Sequence, residues 1–311
     1  MTHRGWIGAG LLGAAAITVV VLLLRHRPAN DESGISPLTS VERLGALTDD
    51  SLTEASALTP SRRTAGLYWS LNDSGHEAML FAVGSDGAAR GRVQLTGAPN
   101  RDWEALASGP CPAGDCLYVG DIGDNDGKRA EVQLYRVVEQ TPEPSTTVAA
   151  ELLRVRYPDG PGDAEAMWVA PDTSVWIITK RPRRDASGQW TPVRVYRVPP
   201  SAWRGPQPVD ATFEGTLPIV PRPRESWTWI TDAALSPPDS SGNRRLAVRT
   251  YERVHMLDAD ALTGRPGGLR RTCALGVLDE AQGEGVAWRD ARTLVFASEE
   301  RGTPLWGGRC E

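Results

Sequence analysis

A two-part pattern of polar and apolar positions recurs five times along this chain. Each copy opens with a polar, mostly acidic residue and a small–apolar pair, and an apolar or aromatic run begins 8 to 11 residues later. Aligned on the last residue of the opening phrase, the copies start again after 48, 61, 68 and 51 residues. A repeat of this length, made of short strands, is typical of a β-propeller blade. The opening phrases are residues 54–58, 102–106, 163–167, 231–235 and 282–286.

The segments after each copy predict the number of strands in a blade. After the apolar run, every repeat contains a third strand with alternating character, and four of the five contain a fourth, the second of them at 148–157. The fifth repeat reaches the end of the chain before a fourth strand, whereas residues 41–47 form a strand with no partner of their own. We therefore expect an all-β propeller of five four-stranded blades, with the N-terminal strand completing the last one. Six blades are the alternative, because the long insert at 181–191 leaves room for further structure.

The N-terminal segment predicts a membrane anchor. Residues 6–24 are an uninterrupted apolar run of 19, preceded by Arg4 and followed by Arg25 and Arg27. This length suffices to span a bilayer core. The predicted organisation is an anchor or signal segment at 1–27, a flexible tether at 28–40 and a propeller at 41–311. A signal peptide that is cleaved to release a secreted protein is the alternative.

Four cysteines and the mild charge indicate the compartment. Cys111 and Cys116 flank a short turn, which favours a hairpin disulfide and leaves Cys273 to pair with Cys310; four buried free thiols are the alternative. Disulfides imply an oxidising compartment, so the propeller is expected on the extracytoplasmic side of the membrane. The net charge of −5 carries no long run of one sign, which argues against a nucleic-acid partner.

Aligned carboxylates suggest where ligands bind. Glu104, Glu165 and Glu284 share one column of the alignment, in which Ser56 and Ala233 stand for the other two blades. The first strand of a propeller blade lines the central channel, so these acids are expected around one axis. They are candidate acid/base groups, and the repulsion between them calls for a cation, a proton or basic partners. The column two residues earlier contains Asp102 and Asp163.

A second polar cluster follows the second strand of each repeat. In chain order it contains residues 72–74, an oxygen-rich loop at 121–126, Lys180 and Arg181, residues 249–252, and Glu299 and Glu300. Hard cations such as Ca²⁺ take carboxylate and amide oxygens, so Asp121, Asp124 and Asn125 are candidate metal ligands. The alternatives are an ordinary turn at 121–126 and ion pairs that fix the register of the blades. The predicted ligand-binding set is Asn72, Asp73, Asp102, Glu104, Asp163, Glu165, Lys180, Arg249 and Glu284.

The most specific phrases of the chain resemble those of known propellers. DWEALA at 102–107 and YVGDIGDN at 118–125, with LYWSLNDSG, DAEAM and LAVRTY, are similar to a group of exported bacterial β-propeller proteins without an assigned activity. More distantly, acids around a propeller axis look like calcium-dependent lactonase-like and phytase-like propellers and five-bladed arabinan-cleaving hydrolases. The resemblance implies a metal ion in the channel or two to three carboxylates at its mouth. The metal-binding Asn pair of the lactonases and the full acid set of the glycosidases have no match here.

Two functions remain open on this basis. The first is a membrane-tethered binding or scaffold module that holds a small ligand, a glycan or a protein at the channel mouth, together with Ca²⁺. The second is a metal-assisted or carboxylate-driven hydrolase of ester, phosphate or glycosidic bonds, with Glu104 and Glu165 as acid/base groups. The motifs of Ser hydrolases, P-loops and HExxH metalloproteases do not occur in the sequence, which favours the binding module.

Overall fold

The described part of the chain is built almost wholly of β-strands. A computed structural model describes residues 34–184 and 187–311. Short 3₁₀-helices occupy Pro200–Arg204, Ser226–Thr228 and Gly276–Leu278. The strands, in chain order, are β1 (Ile35–Pro37), β2 (Thr39–Ala46), β3 (Ala55–Pro60), β4 (Leu67–Asn72), β5 (Met79–Gly84), β6 (Ala89–Thr96), β7 (Trp103–Cys111), β8 (Gly114–Asp121), β9 (Val132–Val138), β10 (Thr146–Ala149), β11 (Glu151–Arg156), β12 (Ala164–Val169), β13 (Val175–Thr179), β14 (Arg183–Arg184), β15 (Trp190–Thr191), β16 (Arg194–Val198), β17 (Val209–Asp210), β18 (Thr212–Thr216), β19 (Ile230–Leu235), β20 (Arg244–Thr250), β21 (Arg253–Ala259), β22 (Pro266–Ala274), β23 (Gly283–Trp288), β24 (Leu294–Ser298) and β25 (Pro304–Arg309).

These strands form the five blades of a propeller. Blade 1 is β3-β4-β5-β6, blade 2 is β7-β8-β9-β11, blade 3 is β12-β13-β16-β18, blade 4 is β19-β20-β21-β22 and blade 5 is β23-β24-β25-β2. The first strand of each blade contacts the first strands of both neighbouring blades, so these strands form a closed inner ring. The prediction of five four-stranded blades is confirmed, and the six-bladed alternative is excluded.

Burial explains why the repeat was visible in the sequence. The inner strands β12 and β23 are buried at every position, because blades cover both of their faces. The fourth strand of blade 1, β6, alternates between exposed and buried residues toward its end. Strands that are covered on both faces become continuous apolar runs, and half-exposed strands alternate. The apolar runs of the opening pattern are therefore the inner part of each blade.

The N-terminal strand closes the ring as predicted. Strand β2 pairs antiparallel with β25 and so supplies the fourth strand of blade 5. The strands begin earlier than the predicted tether at 28–40 allows, because β1 pairs in parallel with β22 on the outer edge of blade 4. Residues 35–40 thus belong to the propeller. The predicted anchor at 1–27 lies outside the described residues, and within the described ranges no helix is long and apolar enough to cross a membrane.

The strand predicted at 148–157 is divided between two blades. Its first part lies in β10, which pairs in parallel with β6 of blade 1, and its second part is β11, which pairs with β9 of blade 2. The chain changes sheets at Ala150, and a single straight strand cannot follow two sheets that are rotated against each other. Short strands are added in parallel to the outer edges of two other blades in the same way, β17 to blade 2 and β1 to blade 4.

The insert at 181–191 contains a small hairpin, and the two disulfides are formed as predicted. Strands β14 and β15 pair only with each other, so the insert adds no blade. Cys111 and Cys116 bridge the β7–β8 hairpin. Cys273 on β22 is bonded to Cys310, which follows β25, so this disulfide links blade 4 to blade 5 and holds the end of the strand that pairs with β2. The described residues contain no free cysteine.

Tryptophans fill the space between blades. Trp168 and Trp176 stack in blade 3 with ring centroids 5.7 Å apart. Their indole N–H groups donate to the carbonyl oxygens of Gly264 and Thr263 in the β21–β22 turn of blade 4, over 3.1 Å and 2.7 Å. The N–H group of a buried indole usually has such an acceptor. These large flat side chains therefore join neighbouring blades by packing and by hydrogen bonds at once.

Candidate functional site

Each inner strand carries a β-bulge at the same place. In blade 2, Trp103 is opposite Asp121 and Ala105 is opposite Gly120, so Glu104 has no partner on β8. A bulge leaves one residue unpaired and re-aims its side chain, and bulges are frequent beside active sites. The same skip occurs in all five blades, and the unpaired residues are Ser56, Glu104, Glu165, Thr231 and Glu284. We call these five side chains the bulge ring.

The bulge ring corrects the alignment of blade 4. There Ile230 is opposite Thr250 and Asp232 is opposite Arg249, so the unpaired residue is Thr231 and not Ala233. The sequence alignment places Ala233 in the column of Glu104, Glu165 and Glu284, which is two positions too late. The error arises because Asp232-Ala-Ala-Leu resembles the acidic opening of the other copies. All five members of the bulge ring are polar.

The neutral members of the bulge ring tie adjacent blades together. Ser56 Oγ lies 3.3 Å from the carbonyl oxygen of Glu104 and 3.2 Å from its Oε2, and donates to one or the other. Thr231 Oγ1 donates to the carbonyl oxygen of Glu284 over 3.1 Å. Both hydroxyls thus link one bulge to the bulge of the next blade. All five members are buried, with 3 % or less of each residue exposed.

A second ring of side chains follows the second strand of each blade. The residue opposite the start of each bulge is Asn72, Thr179, Thr250 or Ser298 in blades 1, 3, 4 and 5. In blades 1, 3 and 5 the residue that follows this one donates its backbone N–H to the carbonyl oxygen of the residue just before the inner strand. These carbonyl groups belong to Glu54, Asp163 and Gln282. This arrangement confirms that the second polar cluster lies at the same end of each blade as the bulge. The next residues are Asp73, Lys180, Tyr251 and Glu299, and we call them the rim ring.

Blade 3 pairs its two ring members with each other. The ammonium of Lys180 contacts the carboxylate of Glu165 in a buried ion pair. Burial alone would lower the pKa of Lys180, but the carboxylates of Glu165 and Glu104, together with Tyr251, raise it above its usual range. Burial raises the pKa of Glu165 well above its usual range against the lowering effect of Lys180. Blade 3 therefore carries its own counter-ion.

Among the described residues, blade 5 has no such counter-ion. Glu284 Oε1 accepts a hydrogen bond from Gln282 Nε2 over 3.1 Å, while Oε2 is buried and has no hydrogen bond of good geometry. Burial raises the pKa of Glu284, and Lys180, Gln282 and the hydroxyl of Tyr251 oppose that shift. Burial and the charge of Glu284 raise the pKa of Glu299 to about 8. This part of the mouth is short of positive charge.

Blades 1 and 2 bring three carboxylates together. One oxygen atom of each of Asp73, Asp102 and Glu104 lies within 4.8 Å of the others. Burial and the charge of Asp73 raise the pKa of Asp102 to about 6. Burial and the charge of Glu165 raise the pKa of Glu104 well above its usual range. Within residues 34–184 and 187–311 none of the three acids forms an ion pair. We call this group the acidic triad.

Gly123 makes this close approach of the triad feasible. A Cβ at this position would lie 2.5 Å from Asp102 Oδ2 and 2.7 Å from Glu104 Oε1. Glycine is the residue that lets other groups approach the backbone so closely. Glu104 Oε2 lies within hydrogen-bond distance of the Ser56 hydroxyl, and Oε1 has no hydrogen-bond partner in the described part of the chain. The triad thus joins the buried residue Glu104, one of whose oxygens has no hydrogen bond in the described part of the chain, to the partly exposed Asp73 and Asp102.

The donor set fits a hard divalent cation. All three groups offer carboxylate oxygens, which Ca²⁺ and Mg²⁺ prefer, and Ca²⁺ completes its shell of six to eight ligands with waters or with ligand oxygens. The separation of the oxygens, at most 4.8 Å, is compatible with one shared ion. Neither histidine nor cysteine belongs to the triad. Asp73, Asp102 and Glu104 are therefore the described residues that best suit the predicted calcium ion.

The loop at 121–126 has structural contacts in place of free ligand oxygens. Asp121 forms a fully buried ion pair with Arg129 over 2.7 Å. Asp124 accepts the backbone N–H groups of Lys128 and Arg129, each over 2.9 Å. The carbonyl oxygen of Asn125 accepts a hydrogen bond from Arg181. These contacts agree with the alternative that 121–126 is a turn, and they leave the acidic triad as the better metal candidate.

Three other predicted ligand residues are occupied by contacts within the protein. Asn72 accepts the N–H groups of Thr53 and Glu54 and donates to the carbonyl of Ser51. Asp163 accepts the N–H of Asp124 over 2.9 Å and lies 3.5 Å from Arg181. Arg249 is fully buried, pairs with Glu280 and donates to the carbonyl oxygens of Gly285 and Ala297. Asn72 and Arg249 in particular fix loops and blades and do not line the mouth as free groups.

Sequence reasoning named two members of the mouth without choosing them as ligand residues. Tyr251 and Glu299 of the rim ring belong to the second polar cluster but not to the predicted ligand-binding set. Asp232 was missed. It is fully buried and accepts the N–H groups of Ala233 and Val286, over 2.7 Å and 2.8 Å. Nothing in the sequence indicates these contacts of Asp232.

Comparison with known proteins supports the fold. No family model matches the chain, and no curated protein matches its sequence. Among solved structures, a glutaminyl cyclase from Myxococcus xanthus is 14 % identical with a TM-score of 0.51, over 89 % of this chain and 99 % of that one. A PQQ-bound aldose sugar dehydrogenase from Streptomyces coelicolor is 13 % identical with a TM-score of 0.48, over 88 % and 98 %. A gluconolactonase from Xanthomonas campestris is 13 % identical with a TM-score of 0.41, over 92 % and 99 %.

At this level of identity the similarity concerns the fold alone. The glutaminyl cyclase matches over nearly its whole length and most of this chain, which agrees with a single propeller between residues 34 and 311. The resemblance of DWEALA and YVGDIGDN to exported bacterial propellers stays a prediction. The function must therefore be argued from the mouth itself.

Proposed function

We propose that this protein is a membrane-tethered extracytoplasmic binding module whose channel mouth holds a divalent cation, and through it a small polar ligand. The observation that carries the proposal is the acidic triad, because three carboxylates converge there and none is paired with a basic side chain in the described ranges. Like charges at this separation repel one another, and a cation relieves the repulsion. We name Ca²⁺ as the ion, since all the donors are oxygens.

The tether and the compartment in this proposal come from the sequence. Two disulfides suit an oxidising compartment. The apolar run at 6–24 is long enough for a membrane anchor. The proposal therefore places the mouth outside the cytoplasm, where calcium is abundant enough for a site with a dissociation constant of about 10⁻⁴ to 10⁻³ M.

The test is calcium binding by the purified full-length protein. Isothermal titration should show one Ca²⁺ per chain in the native protein and none in Asp102→Asn. Binding to the folded state alone should also raise the melting temperature as calcium is added. Equal binding by the native protein and Asp102→Asn would place the ion elsewhere, and no binding at millimolar calcium would refute the cation site.

A carboxylate-driven hydrolase is the second candidate function. The observation in its favour is the electrostatic coupling of Glu104 and Glu165, since each of these two buried acids has a raised pKa and the charge of Glu165 contributes to the shift of Glu104. A carboxyl group that keeps its proton near neutral pH can act as a general acid. A screen of ester, phosphate and glycosidic substrates would test it. The hydrolase requires turnover that Glu104→Gln abolishes, and turnover that survives in Glu104→Gln would eliminate it.

A further inference from the structure

Among the described residues, the blade 3 side of the mouth contains the only basic group that forms an ion pair with the bulge ring. Among the ion pairs of the described residues, Lys180 is the one basic side chain that meets a bulge glutamate. Arg249 is bonded to Glu280 and to backbone carbonyls, and Arg181 stacks on Trp229 at 4.7 Å and faces Asp163. Lys180 is thus paired with Glu165, and its charge also acts on Glu104, Glu284 and Asp73.

The backbone fixes where this ammonium lies. The N–H of Lys180 donates to the carbonyl of Asp163, and the carbonyl of Lys180 accepts the N–H of Ile230, both over 2.9 Å. Lys180 is therefore held between the inner strands of blades 3 and 4, and its side chain folds back onto Glu165 with only 12 % of its surface exposed. A lysine at the surface would extend into water. Its buried position indicates a role inside the mouth.

A second buried carboxylate, that of Glu284, has no basic side chain paired with it among the described residues. Its Oε2 has no hydrogen bond of good geometry there, the neutral hydroxyl of Tyr251 interacts with the carboxylate, and 3 % of the residue is exposed. The charges of Lys180 and Glu165 both interact with the carboxylate of Glu284. Buried polar atoms in native proteins nearly always have partners. Glu165 and Glu284, neither of which belongs to the acidic triad, therefore form a second acidic position in which one internal ammonium faces two carboxylates.

We propose that the ammonium of Lys180 is a built-in counter-ion that fills a second cation position between Glu165 and Glu284, and thereby limits the native mouth to one exchangeable divalent cation at the acidic triad. The count of one ion rests on the proposed function, whereas the role of Lys180 does not. Removal of the ammonium leaves Glu165 and Glu284 uncompensated and opens this second position to a cation from solution.

Calcium stoichiometry tests the proposal directly. The native full-length protein should bind one Ca²⁺ in isothermal titration, and Lys180→Met should bind two. Lys128→Met is the matched control, because Lys128 is the only other lysine and pairs with Asp126 on the surface. It should bind one, like the native protein. A folded Lys180→Met that binds no more calcium than Lys128→Met would overturn the proposal.

The two proposals fail in different ways. If the native protein binds no calcium but Lys180→Met binds one ion, the acidic triad is refuted and the counter-ion role of Lys180 stands. If Lys180→Met does not fold, the proposal predicts that added calcium restores its folded state, and failure to do so would contradict it.

Glu165→Gln provides an independent variant. It frees Lys180 to face Glu104, and the calcium affinity of the triad should fall at least about threefold through charge repulsion. An unchanged affinity in Glu165→Gln would contradict the proposal.

Discussion

The blade 1 and 2 side of the channel mouth and the blade 3 and 5 side use the same bulged strands but balance their charges differently. Asp73, Asp102 and Glu104 converge without an ion-pair partner among the described residues, whereas Glu165 has Lys180 against it. One residue of the rim ring makes the difference, because Asp73 of blade 1 and Lys180 of blade 3 occupy equivalent positions. Repeated geometry therefore does not imply repeated chemistry, and an exchangeable cation is expected only on the side that lacks an internal one.

The largest expected effect is the loss of calcium binding when the triad is neutralised. Asp102→Asn removes a charged oxygen ligand, and we expect the calcium affinity measured by titration to fall by about 100-fold or more, beyond the range typical of residues that only support a metal ligand. Asp124→Asn is the matched control, since Asp124 is occupied by backbone N–H groups. If Asp124→Asn abolished binding and Asp102→Asn did not, the ion would belong to the loop at 121–126.

A smaller loss of affinity is expected from a methyl group at Gly123. Gly123→Ala places a Cβ 2.5 Å from Asp102 Oδ2, so the two carboxylates must move apart and the calcium affinity should fall about tenfold, the lower end of the range for groups that orient metal ligands. Gly162→Ala is the control, because a Cβ at this position would lie 3.7 Å from its nearest neighbour, Thr179 Cγ2, which is ordinary contact. Equal affinities of the two variants would show that the close approach of the carboxylates is irrelevant.

The bulge of blade 4 places a neutral hydroxyl between the bulge glutamates of blades 3 and 5. Thr231→Val removes the hydrogen bond to the carbonyl of Glu284, and urea unfolding should show a loss of about 1 kcal/mol with calcium binding intact. Thr212→Val on the exposed outer strand β18 should leave the stability within about 0.5 kcal/mol of the native value. A destabilisation by Thr231→Val no larger than that of Thr212→Val would show that the hydrogen bond of Thr231 does not stabilise the contact between blades 4 and 5.

A further effect concerns the pH dependence of stability on the blade 5 side. The pKa of Glu299 is raised from 4.5 to about 8, so the folded state binds a proton that the unfolded state releases between these two values. Stability without calcium should then fall as the pH rises through this window, since the native state carries more protons. Thermal unfolding between these pH values should show a flatter profile for Glu299→Gln than for the native protein. A profile of the same slope in both proteins would assign the proton to another group.

The fold could be predicted to a large extent from the sequence. Strands buried on both faces give continuous apolar runs, and these runs fixed the five repeats and the closing strand β2. The division of residues 148–157 at Ala150 was missed, because both halves have strand character and the change of sheet depends on contacts with β6 and β9. Parallel outer strands of two to four residues, such as β17 and β10, are too short to leave a pattern of their own.

The candidate site could be predicted in part. The column of Glu104, Glu165 and Glu284 was found because the repeats align by one shared geometry. Thr231 was misplaced because the bulge, which sets the register, has no signature in a sequence. The oxygen-rich loop at 121–126 looked like a metal site because its composition does not reveal that Arg129 and backbone N–H groups already engage its carboxylates. Composition identifies potential ligands, and only the structure distinguishes free from engaged ones.

One measurement tests the central claim most directly. Isothermal titration of the purified full-length protein with Ca²⁺, beside Asp102→Asn under identical conditions, counts the ions at the acidic triad. The account predicts one ion per chain in the native protein, with a dissociation constant of about 10⁻⁴ to 10⁻³ M, and none in the variant. No binding by the native protein, or undiminished binding by Asp102→Asn, would contradict it.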